Sequence, residues 1–258
     1  MTASPVLLHI PHSSTCIPDE YLGDYCVSPE ILARENLRLA DLYTDEIYCL
    51  PEASSLVFPV SRFLVDAERF SDDNQESMAQ RGMGVLYKVD TDLNVIRPDM
   101  SAHRRQELMD RYYWAHHNRL DEMVARILKE QSHCLFIDCH SYPSKALPYE
   151  LANMALSRPQ IGIGMDSFHT PKEVGRVVAT GFSDLGYEVG LDTPFSGTLV
   201  PNCAYGQEKR VMSFMIEIRK DLYMDEKTGL KLPSFDKVKN DVTIVMRRAA
   251  EYCRSQYP

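Results

Sequence analysis

Short apolar runs, rich in β-branched residues, alternate along the chain with longer stretches in which apolar side chains recur at helical spacing. Val6–Ile10 reads as a buried strand closed by Pro11. Residues 29–50 carry Ile31, Leu32, Leu39, Leu42, Ile47 and Leu50 in a pattern that predicts one helix or two. Residues 56–60 and 63–65 predict strands around a kink. The longest predicted helix spans 101–131, with Leu108, Met109, Tyr112, Leu120, Met123, Val124, Ile127 and Leu128 at helical spacing. A compact strand follows over 134–138 and runs into a polar turn and Pro143. Ile161–Met165 predicts another strand, and 171–185 a helix with Thr170 placed to cap it. Residues 211–218 (VMSFMIEI) read as a central strand carrying one acid, and 235–252 as a closing helix. Strands separated by helices pair in parallel with helices on both faces. The predicted fold class is therefore α/β, a mostly parallel or mixed sheet flanked by helices. In such sheets ligands collect at the carboxyl ends of the strands, and the polar clusters of this sequence fall there.

Length and composition narrow the picture without changing it. At 258 residues, 44% of them apolar and 25% charged, the chain predicts one domain over 1–258 with ample core. The formal net charge of −9 argues against a nucleic-acid footprint, while leaving room for a locally basic pocket. No apolar run approaches the roughly 20 residues needed to span a bilayer, so no membrane partner is expected. The opening MTASPVLLHIPHSS has too short an apolar run for a secretion signal, and no basic segment precedes it. The seven cysteines are scattered with no CxxC pair, which predicts reduced thiols in a cytoplasmic protein.

Four constellations carry candidate chemistry. His9-Ile-Pro-His12 sits where the first strand exits into a loop, and neutral imidazole suits zinc. His9, inside the strand, reads equally as a histidine that satisfies backbone groups. In Ile137-Asp138-Cys139-His140, a buried strand leads into Asp-x-His, and Asp138 is placed to support a metal-bound imidazole. Glu217 interrupts an apolar strand, where a carboxylate is costly to bury unless something uses it. Beside a cation-activated water it would act as general base; the bland alternative is an ion pair with Arg219. Arg62 and Arg69, seven residues apart in SRFLVDAERF, could supply the bidentate forks that grip a carboxylate. Among weaker signals, His116 and His117 lie in the long amphipathic segment and read as buried structural histidines, and His169 as structural or pocket-lining. Asp41 and Asp45 share one helix face, and residues 194–198 form a small-residue loop suited to covering a pocket. There is no Walker loop, no G-x-G-x-x-G and no G-x-S-x-G, which removes the main support for nucleotide-binding and serine-hydrolase readings.

The segments PHSS, VSRFLVDAERF, GMGVLY, YYWAHHNRL, IDCHSYPS followed by LPYE, GTLVP and MIEIRKDLYMDE, in this order from about residue 6 to 226, resemble the N-formylglutamate amidohydrolase family. The resemblance implies a zinc-exopeptidase-like (phosphorylase/hydrolase-like) α/β fold. It also implies hydrolysis of N-formyl-L-glutamate to formate and glutamate, a late step of histidine breakdown. DCHSY is similar, more distantly, to the segment with which zinc carboxypeptidases present a histidine ligand, which falls on His140. Their water-activating acid falls on Glu217 and their substrate-carboxylate motif on Arg69, with Glu68 standing where related deacylases carry asparagine. The first ligand falls on His12. Thr15 occupies the place of the glutamate expected three residues later, so the third ligand is taken as Asp41, with Asp45 and His9 as alternatives. The resemblance thus implies Zn2+ or another divalent metal held by His12, Asp41 and His140, with Glu217 moving the proton. Arg62, Arg69 and Arg219 would hold a small anionic N-acyl amino acid. Action on another N-acyl amino acid or short peptide, and a metal-free binding protein on the same fold, are the alternative readings.

Overall fold

The structure is a computed structural model that describes residues 4–150 and 156–256. In chain order its regular elements are β1 (Val6–Ile10), α1 (Asp19–Leu22), α2 (Pro29–Leu39), α3 (Thr44–Ile47), β2 (Ser54–Val57), α4 (Ala102–Leu108), α5 (Ala115–Glu130), β3 (Cys134–Tyr142), β4 (Ile161–Met165), α6 (Lys172–Asp184), β5 (Val189–Leu191), β6 (Val211–Arg219) and α7 (Phe235–Gln256). The strands form one six-stranded sheet in the order β2-β1-β3-β6-β4-β5. All neighbours pair in parallel except β4 and β6, which run antiparallel. The mixed, helix-flanked sheet is the predicted class. No helix among the described residues is long and apolar enough to cross a membrane.

The period-two alternation of the central strands explains where the site forms. Leu8 and Ile10 of β1, Ile137 and Cys139 of β3, and Ile216 and Ile218 of β6 pack in one apolar layer with Val178 and Phe182 of α6 and Val242, Val245 and Met246 of α7. On the opposite face the strands begin apolar: Leu7 and Phe136 pack with Leu120, Val124 and Ile127 of α5. Toward their carboxyl ends that same face turns polar, with His9, Asp138, His140 and Glu217 alternating out of it. Burying such groups is tolerated only where they satisfy one another or a ligand.

Residues 29–50 form two helices, one of the two arrangements expected: α2 ends at Leu39, where Ala40 turns extended with ψ 144°, and α3 starts after Tyr43, whose φ of 68° no helix accepts. Several other elements differ from the sequence reading for local reasons. Residues 63–65 are a turn: the Leu64 amide donates to the Ser61 carbonyl at 2.9 Å and the Phe63 amide to the Ser61 hydroxyl at 3.0 Å. Leu64 and Val65 are buried in a separate cluster with Phe58, Val85 and Leu108, and Phe63 in another with Tyr25 and Tyr87; burial alone does not make a strand. The long helix is continuous but passes through a π-helical turn at Met109–Trp114. Strand β3 runs on to Tyr142, so Ser141 and His140 lie in the sheet and not in a polar turn. Thr170 does not cap α6; its hydroxyl bonds the Ser213 carbonyl and accepts from the Asp166 amide at 2.8 Å. The short β5 carried no periodic signal.

Candidate active site

Strand register assembles the site. His140 of β3 stands opposite Glu217 of β6, and His9 of β1 opposite Asp138 of β3. Gly162 of β4 lies on the other side of Glu217, where a Cβ would sit 3.2 Å from the Glu217 Cβ and 3.1 Å from the Thr193 carbonyl oxygen. The loop after β1 adds His12, the segment between α2 and α3 adds Asp41, and the turn after β2 adds Arg62, Asp66, Glu68 and Arg69.

Asp66 organises that turn. One carboxylate oxygen accepts from His12 Nε2 at 2.8 Å and from the Glu68 amide at 3.0 Å. The other accepts from Arg62 Nη2 at 2.9 Å and from the Tyr87 hydroxyl. Burial pushes the Asp66 carboxyl up, but the Arg62 and His12 charges hold it well below the usual carboxylate range. On the other histidine, His140 Nδ1 lies 3.2 Å from Asp41 Oδ2. Asp41 is wholly buried; desolvation raises its pKa, and contacts with His12, His140 and Lys220 more than reverse that.

Each of these two histidines therefore has a carboxylate on one ring nitrogen and turns the other inward. The inward atoms are buried and face carboxylates: His140 Nε2 lies 3.1 Å from Glu68 Oε2 and 3.2 Å from Asp138 Oδ1, and His12 Nδ1 lies 3.7 Å from Asp41 Oδ2. Ligand atoms of His12, Glu68 and His140 all lie within 4.8 Å of one another. Two imidazoles and a carboxylate, each imidazole backed by an acid, form a donor set that can hold a divalent ion. The local field points the same way. Burial pulls the His140 imidazole down, yet the Glu68 and Asp138 carboxylates hold it well above its ordinary value, which marks a place that favours positive charge. Glu68 itself is pushed up by burial and drawn well below its ordinary range by the His140 charge and by hydrogen bonds to His140 and His9.

A second grouping, His9 with Glu68 and Asp138, adjoins the first. Here His9 is satisfied on both ring nitrogens, by Asp138 Oδ1 at 2.9 Å and by His116 Nε2 at 2.9 Å. Its role is to hold the Asp138 and Glu68 carboxylates. His117 Nε2 donates to the Ala67 carbonyl at 2.8 Å and the Tyr113 hydroxyl to the Arg69 carbonyl at 2.9 Å, so the long helix anchors the turn that carries Glu68 and Arg69.

The cavity in front of these groups measures about 310 Å³ and is lined by His12, Asp41, Arg62, Arg69, His140 and Glu217 among others. The Nε of Arg69 is buried without a hydrogen-bond partner, and so is Glu217 Oε2. Burial pushes the Glu217 carboxyl up to about 8, offset only in part by the nearby His140 charge. Of the residues singled out from the sequence, the structure brings His12, Asp41, His140, Glu217, Arg62 and Arg69 to this cavity. Asp45 is exposed. Arg219 does not reach it: its Nε donates to Asp221 at 2.8 Å and its Nη1 to the Arg158 carbonyl at 2.7 Å. Nor does Glu217 pair with Arg219. Asp41 lies behind the His140 ring, and Glu68, which the sequence reading treated only as a departure in a substrate motif, faces the gap between the two histidines. The signal that could have found it is the pair Asp66-Ala67-Glu68, two acids enclosing a fully buried alanine.

A mixed sheet whose strand ends gather imidazoles, carboxylates and guanidiniums around one cavity is the arrangement of an α/β enzyme. Residues 4–224 match the N-formylglutamate amidohydrolase family, and the chain belongs to that family of amidohydrolases. Among solved structures it resembles N-formylglutamate amidohydrolase from Ralstonia eutropha, with a TM-score of 0.86 at 23% identity over 99% of this chain and 96% of that one. A gene product of Agrobacterium tumefaciens is also similar, with a TM-score of 0.63 at 17% identity over 96% of this chain and 92% of that one. At these identities both are likenesses of fold. No curated protein matches the chain.

Proposed function

We propose that this chain, as one domain, is a cytoplasmic enzyme that hydrolyses N-formyl-L-glutamate to formate and glutamate with zinc or another divalent ion, a step that would serve histidine breakdown. The observation that carries the reading is the convergence of ligand atoms of His12, His140 and Glu68, all within 4.8 Å of one another, in a cavity that Glu217, Arg62 and Arg69 also line. In this reading His12, His140 and Glu68 hold the metal. Asp41, the carboxylate first expected there, instead orients His140, as Asp66 orients His12. When bound, the ion supplies Lewis-acid polarisation of the acyl carbonyl and lowers the pKa of the attacking water.

The chain's own residues supply the rest. Arg69, with its free Nε, and Arg62, held rigid by Asp66 and Tyr87, bind the substrate carboxylates and set the amide against Glu217. Glu217 takes the proton of water at Oε2 and delivers it to the leaving nitrogen. Its burial matches that task, since a desolvated carboxylate is a stronger base than one in water. The test is to purify the protein without added metal, measure bound zinc, and assay formate release from N-formyl-L-glutamate. Close to one zinc per chain, with activity lost to chelator and restored by zinc, supports the reading. Neither metal nor activity after zinc is supplied refutes it, and favours a binding protein on the same fold.

A further inference from the structure

A second cavity, of about 440 Å³, lies directly beyond the first. The two share Glu68, Arg69, Ser196 and Met215 as a common wall. We infer that this second cavity is an acyl-group subsite, which admits acidic amino acids bearing a bulky, neutral, apolar or aromatic N-acyl group as well as the formyl one. The inference rests on the hydrolase reading above and names the substrate class of the same site.

The argument starts from where the reacting carbonyl must be. Glu68, grouped with His12 and His140 as a ligand set, lines both cavities, while Glu217 lines the first, so an amide attacked beside Glu68 has its carbonyl at the junction. A planar trans amide directs its two substituents apart. With the amino-acid carboxylates on Arg62 and Arg69 in the first cavity, the acyl substituent points into the second. A formyl group places only a hydrogen there and leaves that volume to solvent.

The lining states what would fill it. Tyr113, Leu199, Val200 and Met215 form its walls, and Phe70 and Tyr205 stand at its mouth. At 60% and 64% exposed, these last two are the most exposed aromatic side chains among the described residues. Exposed aromatic rings beside a cavity are typical of a binding surface for apolar groups. Asp138 and Asp166 also border it, which disfavours an acidic acyl tail such as a further glutamyl unit. The roof is held in place: the Leu199 amide donates to Asp138 Oδ2 at 2.9 Å, and a Cβ on Gly164 would fall 2.0 Å from the Gly197 carbonyl oxygen. Only glycine lets the roof loop approach strand β4 this closely. The chemistry is that of the proposed reaction: the amide C–N bond breaks, a C–O bond forms from water, and one proton goes to the leaving amine.

The experiment compares kcat/KM of the zinc-supplemented protein for N-formyl-, N-acetyl- and N-phenylacetyl-L-glutamate. Burying a phenyl group predicts a phenylacetyl-to-formyl ratio of about ten to a hundred. Asn202, on an exposed turn at the cavity, gives a blocking variant: Asn202→Trp lowers that ratio at least tenfold, and Tyr205→Ala lowers it in the same direction. Calorimetric Kd values for the same ligands on the Glu217→Gln protein follow the same order without turnover. A ratio at or below one, or a ratio unmoved by both variants, overturns the acyl subsite while formyl cleavage leaves the hydrolase reading standing. If no N-acyl glutamate is cleaved, the hydrolase reading fails and the subsite falls with it.

Discussion

Replacing Glu217 with glutamine is the sharpest test of how the site works. The substitution keeps the shape of a side chain that is buried on β6 opposite His140, so neither packing nor the inward nitrogens of His12 and His140 are disturbed. What is lost is the ability to accept and return a proton, which is worth about 10²–10⁴-fold for a positioned group, or about 3–5 kcal/mol of barrier. The structure argues for the upper part of that span because the neighbouring carboxylates are engaged: Glu68, in the proposed reading, holds the metal. Asp66 is occupied by His12, Arg62 and Tyr87, Asp138 by His9 and the Leu199 amide, and Asp41 by His140. Glu217→Gln is therefore expected to cut kcat by about 10³-fold or more, with zinc content and substrate Kd within about threefold of the parent. Formate release, elemental analysis and calorimetry on one preparation read all three. A variant that keeps its metal and retains more than a tenth of the parent kcat refutes the role.

The remaining predictions follow from the same geometry. Glu68→Gln is expected to lower metal affinity by more than Asp41→Asn, which should lose about 10–100-fold as an orienting carboxylate; chelator competition checks this, and the reverse order returns the third ligand to Asp41. Arg69→Leu is expected to raise KM for an N-acyl glutamate at least tenfold with a smaller effect on kcat, and a change confined to kcat would remove Arg69 from substrate binding. Away from the site, buried Glu35 accepts from the Thr91 amide at 3.1 Å and hydroxyl at 2.6 Å, and from Arg38 Nη1 at 3.1 Å. Although burial alone would raise it, these bonds bring its pKa below the ordinary value. Its stabilisation, about 1.5–3 kcal/mol relative to glutamine, is thus fully present above about pH 4.5 and lost as pH falls through the depressed folded value. Urea midpoints of the parent and Glu35→Gln should converge between pH 7 and pH 3, and a constant gap over that range contradicts the reasoning.

The sequence by itself determined the features that depend on near neighbours. Period-two and helical spacing marked β1, β4, β6 and the long helices, because burial of one face is written into consecutive residues. The class of the sheet followed, and with it the expectation that His12, His140 and Glu217, all near strand carboxyl ends, and the arginines of the segment 61–70 would lie near one another. Tertiary structure alone decided how they meet. The antiparallel β4 and the turn at 63–65 answer to packing and to Ser61, not to any local period. That Glu68 faces the two histidines, that Asp41 and Asp66 stand behind them, and that Arg219 turns away to Asp221 all depend on contacts between distant segments. His12 meets Asp66 across 54 positions and His140 meets Asp41 across 99. A carboxylate in a sequence shows its chemistry but not its direction, and direction is set by the register of the sheet and the turns that enclose it.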